Sequence, residues 1–185
     1  MRNTFAKPMT TKWEIREGDI VPAITLAKSG RAAVFPMVFG FTPVRERASR
    51  VIYTTVENAS EKEEWRETWE SRRCLIPFSY YYEWKQGTDG KTEMLVQPEG
   101  VEMAYMAALY RMEEKRDLRY PAFSILTKPA SEDVSYMNQR MPVIFEDHVE
   151  WVMTQGDPKP LLRKAMERMA VDIAPPEKPI TYDFE

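Results

Sequence analysis

A β-rich fold is first indicated by the stretch Arg72-Arg73-Cys74-Leu75-Ile76-Pro77-Phe78-Ser79-Tyr80-Tyr81-Tyr82-Glu83-Trp84. Two positive charges are followed by an apolar run that includes a proline, and then by an aromatic segment that contains one carboxylate. Short runs of branched aliphatic and aromatic residues are typical of buried strands. A charged carboxylate in such a run is costly to bury unless it is paired or functional. Glu83 is therefore the first candidate for chemistry, and the alternative is a carboxylate on the outer face of an edge strand.

The rest of the composition is that of a globular protein. The chain has 185 residues, of which 43% are hydrophobic and 30% are charged, enough for one domain with a full core. We predict a single domain over residues 1–174. The tail, residues 175–185, is proline-rich and charged, and we expect it to be loosely ordered.

Charge and cysteine content exclude several classes of protein. The net charge of −3 argues against broad nonspecific binding of nucleic acid. It leaves room for a local basic groove, because charges are screened beyond about 10 Å at 0.1 M salt. One cysteine and one histidine permit no internal disulfide and argue against zinc. We expect no metal, no cofactor, no membrane span and a cytoplasmic location, since neither an apolar signal core nor a long apolar run is present.

The remaining apolar runs are short and separated by turn residues. Fourteen prolines and seven glycines favour many turns and short strands over a helical bundle. Residues 20–26 are predicted to form an edge strand, because Pro22 cannot donate to a ladder. The pattern as a whole predicts an α+β fold that is β-rich and barrel-like, with a few flanking helices.

Four segments are predicted to be helical. The longest is residues 57–71, with Ser60 as its N-cap and Glu63 completing a capping box. The others are a short helix that Ser131 caps and that runs toward Met137, and residues 148–154 and 160–169.

Several motifs in a fixed order resemble the SOS-response-associated peptidase (SRAP) family. Any one of them alone would be weak, but together they cover most of the chain, from about residue 18 to about residue 151. The segments that carry the resemblance are 37–43 (MVFGFTP), 72–77 (RRCLIP), 81–84 (YYEW), 106–110 (MAALY), 125–130 (ILTKPA) and 140–144 (RMPVI).

The resemblance implies a β-barrel-like α+β fold with a positively charged groove. It also implies recognition of abasic sites in single-stranded DNA. Members of the family crosslink to such sites through an N-terminal cysteine, whose amine and thiol close a thiazolidine on the sugar aldehyde. A glutamate and a histidine assist, and the same site removes the residues that precede the cysteine.

Three positions of this chain retain functional residues of the family, and at a fourth an aromatic ring of another type replaces the family's residue. The catalytic glutamate falls on Glu83, and the arginine that contacts phosphate falls on Arg140. The threonine of the Leu-Thr-Thr segment falls on Thr127, and a base-stacking tryptophan is replaced by Phe39, whose ring can still stack. The predicted DNA-binding groove is completed by four further arginines: Arg72, Arg73, Arg45 and Arg47.

At other positions the chain departs from the family. Arg2 stands where the family has its cysteine, and Asn138 stands where it has its histidine. The family's Asn-Ala-Arg-x-Glu segment falls near residues 53–57, where Glu57 alone remains. Arg2 cannot supply a 1,2-aminothiol, and Asn138 cannot exchange a proton near pH 7. The internal Cys74 is predicted to be a core residue rather than a nucleophile.

The sequence therefore predicts an SRAP-like protein of the DNA-damage response. It would bind single-stranded DNA at abasic sites through phosphate neutralisation and base stacking, with crosslinking and autopeptidase chemistry lost. Its location would be the cytoplasm, and the nucleoid if it binds DNA. Three alternatives remain open: an active crosslinking protein whose Cys-bearing start lies upstream, a degenerate interaction module of phage type that binds no DNA, and an active peptidase or lyase that uses Glu83 with another group.

Overall fold

The computed structural model describes residues 14–43, 49–147 and 149–174. Within these ranges the chain forms eleven strands and four short α-helices. The strands are β1 (Ile20–Leu26), β2 (Ala32–Phe39), β3 (Tyr53–Thr55), β4 (Arg73–Phe78), β5 (Tyr81–Gly87), β6 (Gly90–Pro98), β7 (Ala104–Lys115), β8 (Leu118–Pro129), β9 (Arg140–Pro142), β10 (Ile144–Phe145) and β11 (Met169–Ile173). The helices are α1 (Val56–Glu61), α2 (Arg66–Ser71), α3 (Glu132–Ser135) and α4 (Val149–Met153).

Five strands close into a barrel. Going round it, β1 pairs with β2, β2 with β8, β8 with β7, β7 with β4, and β4 again with β1. The β2–β8 pair is parallel and the other four pairs are antiparallel. Strands β3, β9 and β10 extend the barrel sheet at its borders. The structure thus confirms the predicted β-rich α+β fold.

Strand alternation divides the core into two sides. On β4, Cys74 and Ile76 face a cluster inside the barrel, whereas Leu75 between them faces a second cluster outside it. The outer cluster is closed by Trp69 of α2 and Trp151 of α4. Because successive side chains of a strand point to opposite faces, a strand buried on both sides has an unbroken apolar sequence, as residues 74–76 do.

A second sheet projects from the barrel in the order β11-β6-β5. Strands β5 and β6 form a hairpin whose turn joins Gly87 to Gly90. Strand β5 is paired on one side by β6 and forms the border of this sheet. This places Glu83 on a border strand.

Strand β1 is not the edge strand that was predicted. It pairs with β2 along its whole length and with β4 at Ile24 and Thr25. Pro22 is tolerated because the β4 pairing stops short of it.

The predicted helix over residues 57–71 is divided. Lys62 has extended backbone angles (φ −86°, ψ 130°), and it ends α1 before a 3₁₀ turn at Glu63–Trp65 and then α2. The N-cap is Thr55, whose hydroxyl accepts from the Asn58 amide, and Ser60 lies inside α1. The capping prediction was therefore wrong by five residues.

The two C-terminal helix predictions are partly correct. α4 forms within the first of them, while the first half of the second is covered by a 3₁₀ helix over Lys159–Lys164. Met169 is the first residue of β11, where the sequence predicted the end of a helix.

Candidate functional site

The site begins with Glu83 and Asn138. Glu83 lies on β5 and is partly buried, and Asn138 lies in the segment between α3 and β9. The Asn138 Nδ2 donates to both carboxylate oxygens of Glu83, at 3.2 Å to Oε2 and 3.4 Å to Oε1. These distances are at the long end for a hydrogen bond, so the contact is weak and leaves the carboxylate free to accept from another donor.

Arg140 is connected to this pair through the backbone. Its amide N donates to Asn138 Oδ1 at 3.1 Å, which turns the Asn138 amide group toward Glu83. Its guanidinium is anchored on β8, where Nε lies 3.3 Å from Thr127 Oγ1 and Nη2 lies 2.6 Å from the Thr127 carbonyl. The β8–β9 pairing brings these residues together, since Thr127 faces Pro142 and Pro129 faces Arg140. Asn138, Arg140 and Thr127 therefore form one hydrogen-bonded unit.

Glu57 holds the outward side of the Arg140 guanidinium. The two groups meet side by side, with Nη2–Oε2 at 2.9 Å and Nη1–Oε1 at 3.3 Å. Glu57 lies in the first turn of α1, which Thr55 caps. The hydrogen bond from Arg140 lowers the pKa of Glu57. The pair is partly exposed, with side-chain exposures of 32% for Arg140 and 50% for Glu57.

The pKa of Glu83 is shifted in the opposite direction to that of Glu57. Burial raises the pKa of this carboxyl, while the hydrogen bonds from Asn138 and from the Trp84 backbone act in the opposite direction. Burial also raises the pKa of Tyr81 and of Tyr53, and the charge of Glu83 raises both further. The Tyr81 hydroxyl is buried and has no hydrogen-bond partner among the described residues. The ionised form of Glu83 is thus stabilised less than that of an ordinary surface carboxylate.

A cavity of about 420 Å³ lies beside these residues. Its wall includes Tyr81 and Tyr82, which precede Glu83 on β5, and Pro142, the partner of Thr127. Most of the wall is aromatic or aliphatic, and its lining residues are Glu14, Ile15, Phe39, Tyr53, Ile76, Pro77, Phe78, Ser79, Tyr80, Tyr81, Tyr82, Met106, Phe123, Ile125 and Pro142. Such a wall suits an uncharged ring or sugar better than a free anion.

Phe39, Arg72 and Arg73 lie outside the hydrogen-bonded group formed by Glu83, Asn138, Arg140 and Thr127. Phe39 is 7% exposed and stacks on Phe123 with ring centroids 5.1 Å apart, so it forms part of the cavity floor. Arg72 is partly exposed and pairs with Glu67 of α2. Arg73 is 3% exposed. Its guanidinium donates to four backbone carbonyls, those of Trp69, Trp151, Thr154 and Gly156.

These contacts separate Arg73 from the Glu83 group, and a side chain buried in this way is not available to a ligand. Arg2, Arg45 and Arg47 lie outside the described residues. Of the predicted site residues, the structure therefore brings together Glu83, Asn138, Arg140 and Thr127, with Phe39 in the wall of the adjoining cavity.

Cys74 is confirmed as a core residue. It is 0% exposed on β4, and burial raises the pKa of its thiol. A thiol in this state is unreactive.

Sequence reasoning did not single out Tyr53 and Tyr81. Tyr53 is the first residue of β3, and Tyr81 precedes Glu83 by two residues on β5. Tyr81 could have been identified from the sequence, because residues two apart on a strand share a face, and Tyr81 therefore faces the same side as Glu83.

Among residues 14–43, 49–147 and 149–174, no group of three or more His, Cys, Asp or Glu side chains is arranged to hold a metal ion. No helix in the same part of the chain has the length and apolar character needed to cross a membrane.

Comparison with known proteins identifies relatives over most of the chain. The sequence profile of the SOS response associated peptidase (SRAP) family matches residues 2–175. The abasic site processing protein YMR114C of Saccharomyces cerevisiae is 29% identical over 101 residues, which are 55% of this chain and 27% of that protein. The abasic site processing protein YoqW of Bacillus subtilis is 30% identical over 129 residues, 66% of this chain and 57% of that one. The chain thus spans between about a quarter and somewhat over half the length of these two curated relatives.

The fold has counterparts among solved structures. A crystal structure of a protein from Bacteroides thetaiotaomicron superposes with a TM-score of 0.71 at 20% sequence identity, over 86% of this chain and 75% of that one. At this identity the likeness concerns the fold, and it agrees with the barrel described above.

Proposed function

This chain belongs to the SOS response associated peptidase family, and we propose from this that it binds single-stranded DNA at abasic sites in the DNA-damage response. The site is the group formed by Glu83, Asn138, Arg140 and Thr127 together with the adjoining cavity. Two relatives named as abasic site processing proteins support the choice of ligand.

The observation that carries the proposal is the anchoring of Arg140. Two of its guanidinium nitrogens are fixed by Thr127, while its Nη1 and Nη2 atoms meet a carboxylate in a side-by-side geometry. The same planar fork matches the oxygens of a phosphate diester. Arg140 is therefore held ready for an anion of this shape, and a DNA phosphate would take the place that Glu57 occupies.

The cavity accounts for the other part of the ligand. A phosphate at Arg140 would bring the attached sugar toward Asn138 and Glu83, since the Arg140 amide bonds to Asn138 and Asn138 bonds to Glu83. The cavity beyond them has aromatic walls, which suit a base-free deoxyribose or a neighbouring base.

We propose that covalent chemistry is lost. A thiazolidine needs a free thiol next to an amine, and the single cysteine of the sequence, Cys74, is buried in the barrel. Asn138 occupies the position of the family's histidine and contacts Glu83, but an amide has no proton to exchange near pH 7. Glu83 and Asn138 would then serve to bind DNA and not to catalyse a reaction.

A gel assay with single-stranded DNA carrying one abasic site tests this function. We expect a shifted band on a native gel at low salt, and no shifted band after denaturation. An intact oligonucleotide of the same sequence is the control for site preference, and it should bind more weakly. A complex that survives denaturation would overturn the loss of crosslinking, and no native shift at low salt would overturn DNA binding and favour the interaction-module alternative.

A second candidate keeps a catalytic role for Glu83. Its partial burial and raised pKa are typical of a general base. On the same denaturing gel, cleavage of the DNA strand at the abasic site, abolished in Glu83→Gln, would support a lyase and contradict a purely binding role.

A further inference from the structure

Lys85 lies on the same face of β5 as Glu83. The two residues are two apart on an extended strand, so their side chains point to the same side, about 7 Å from each other. Glu83 contacts Asn138, and Lys85 contacts Tyr136, two residues before Asn138. The Lys85 ammonium lies 5.2 Å from the centroid of the Tyr136 ring. A second contact between β5 and the segment after α3 thus runs alongside the Glu83–Asn138 contact.

This second contact lies at the surface. Tyr136 is 55% exposed, and Lys85 is also exposed. A tyrosine ring that packs in a core loses nearly all of its exposure, so neither side chain is needed to fill the interior. A cation over an exposed ring contributes only about 0.5–1 kcal/mol, which is too little to explain the pair as a major source of stability.

We propose that Tyr136 and Lys85 form a nucleotide subsite adjoining the Glu83–Asn138 group, in which the Tyr136 ring stacks on a base and the Lys85 ammonium neutralises a neighbouring phosphate. The inference rests on the proposed function and extends it by one nucleotide along the strand. It concerns a nucleotide that retains its base, in contrast to the abasic position beside Glu83.

The chemistry of the pair fits single-stranded nucleic acid. An exposed ring beside a cation is the combination that binds a single strand without sequence preference. The pair is also continuous with the site, because Tyr136 and Asn138 belong to one short segment and Lys85 and Glu83 to one strand face. The same strand of DNA can therefore reach both groups.

A base-deletion experiment isolates the stacking contact. Short oligodeoxythymidylates carry one abasic site at a fixed position, and the base of each neighbouring nucleotide is removed in turn with a tetrahydrofuran abasic analogue. We expect removal of one particular base, on one side of the fixed site, to weaken binding by wild-type protein about tenfold, within the range measured for stacked bases. In Tyr136→Ala the same removal should change nothing, and Tyr136→Phe should behave as wild type.

Matched variants separate this subsite from general effects. Lys85→Ala should weaken binding and reduce the slope of log K against log salt by about 0.7, whereas Lys115→Ala at the tip of the β7–β8 hairpin should leave both unchanged. Leu118→Ala, another exposed apolar residue at that tip, is the control for Tyr136→Ala.

The outcomes distinguish the inference from the function on which it rests. If wild-type protein binds no single-stranded DNA, the proposed function fails. If it binds, but each base removal costs the same in wild type and in Tyr136→Ala, the subsite alone is wrong.

Discussion

Glu83 and Glu113 are two glutamates on strands of the same protein, and their surroundings are opposite. Glu113 lies on β7 and is buried. It accepts hydrogen bonds from the Thr42 amide at 2.8 Å and hydroxyl at 2.6 Å, and from Arg111 Nε at 3.0 Å and Nη2 at 2.8 Å. Arg50 at 3.2 Å and the Tyr120 hydroxyl at 3.3 Å complete the set. By contrast, the Glu83 carboxylate accepts a long hydrogen bond from Asn138 Nδ2 and one from the Trp84 backbone, and no arginine is among these partners.

The pKa values follow from these partners. Burial acts to raise the pKa of Glu113, but the hydrogen bonds from Thr42 and Arg111 outweigh it and hold the pKa below its usual range. For Glu83, burial prevails over the bond from Asn138, and the pKa is raised. A carboxylate whose acceptor sites are filled stabilises the fold, and one that is only partly satisfied has capacity left for a ligand. Burial of a carboxylate does not by itself mark a functional site.

The largest expected effect is on the free energy of unfolding, and it distinguishes Glu113 from Glu83. Glu113→Gln removes the charge that Arg111 and Arg50 share, so we expect the free energy of unfolding to fall by about 3 kcal/mol. Urea denaturation measures this. Glu114→Gln, the exposed neighbour on the same strand, should stay within about 0.5 kcal/mol of wild type. Equal effects in the two variants would show that the Glu113 network does not stabilise the fold.

The next effect concerns binding and not folding. Arg140→Ala should weaken the binding of single-stranded abasic DNA about tenfold, the loss expected for one charge-assisted hydrogen-bonding group. The slope of log K against log salt should become shallower by about 0.7, and the free energy of unfolding should fall by less than about 1 kcal/mol. Arg119→Ala, at the distant end of β8, is the charge-matched control. Identical binding curves for both variants would remove Arg140 from the site.

A smaller effect of opposite sign is expected at Glu57. This carboxylate occupies the face of Arg140 that a phosphate would need, so DNA must displace it. Glu57→Gln should tighten binding about threefold, since a partly exposed ion pair is worth less than about 1 kcal/mol. It should also steepen the salt slope by about 0.7. Glu61→Gln, on the same short helix, changes the net charge equally and is the control. Weaker binding in Glu57→Gln would mean that the carboxylate positions Arg140 for DNA instead of competing with it.

The sequence predicted those parts of the molecule that depend on local pattern. The apolar run at residues 74–76 predicted a buried strand, and the structure buries that strand on both faces. Resemblance to the family also identified Glu83, Asn138, Arg140 and Thr127, which the structure connects. Hydrophobic periodicity and turn-forming residues are properties of neighbouring positions in the chain, so they can be recognised without a structure.

Contacts between distant segments could not be predicted in this way. Arg73 resembles a groove arginine in sequence, yet it is bound by backbone carbonyls near α2 and α4, and every residue type supplies a carbonyl. Thr42 and Glu113 are 71 residues apart, and only the barrel closure brings them together. The helix break at Lys62 has no adjacent proline or glycine that would signal it, and residues on both sides of it, Ala59 and Trp69, are buried in the outer cluster.

The smallest effect tests Glu83 through the pH dependence of stability. Its pKa is raised in the folded protein, so the folded state binds the proton more tightly and ionisation of Glu83 opposes folding. Wild type should therefore lose stability relative to Glu83→Gln as the pH rises from about 4.3, the value for an unfolded chain, through the raised pKa. At neutral pH, Glu83→Gln should be slightly more stable than wild type in urea, and the two should converge in acid. Glu113→Gln should show the opposite trend, because a lowered pKa stabilises the fold above about 4.3 and this contribution disappears as the pH falls. Glu102→Gln, an exposed control, should follow wild type throughout. If Glu83→Gln instead loses as much stability at neutral pH as Glu113→Gln, both glutamates hold the fold and the contrast between them fails.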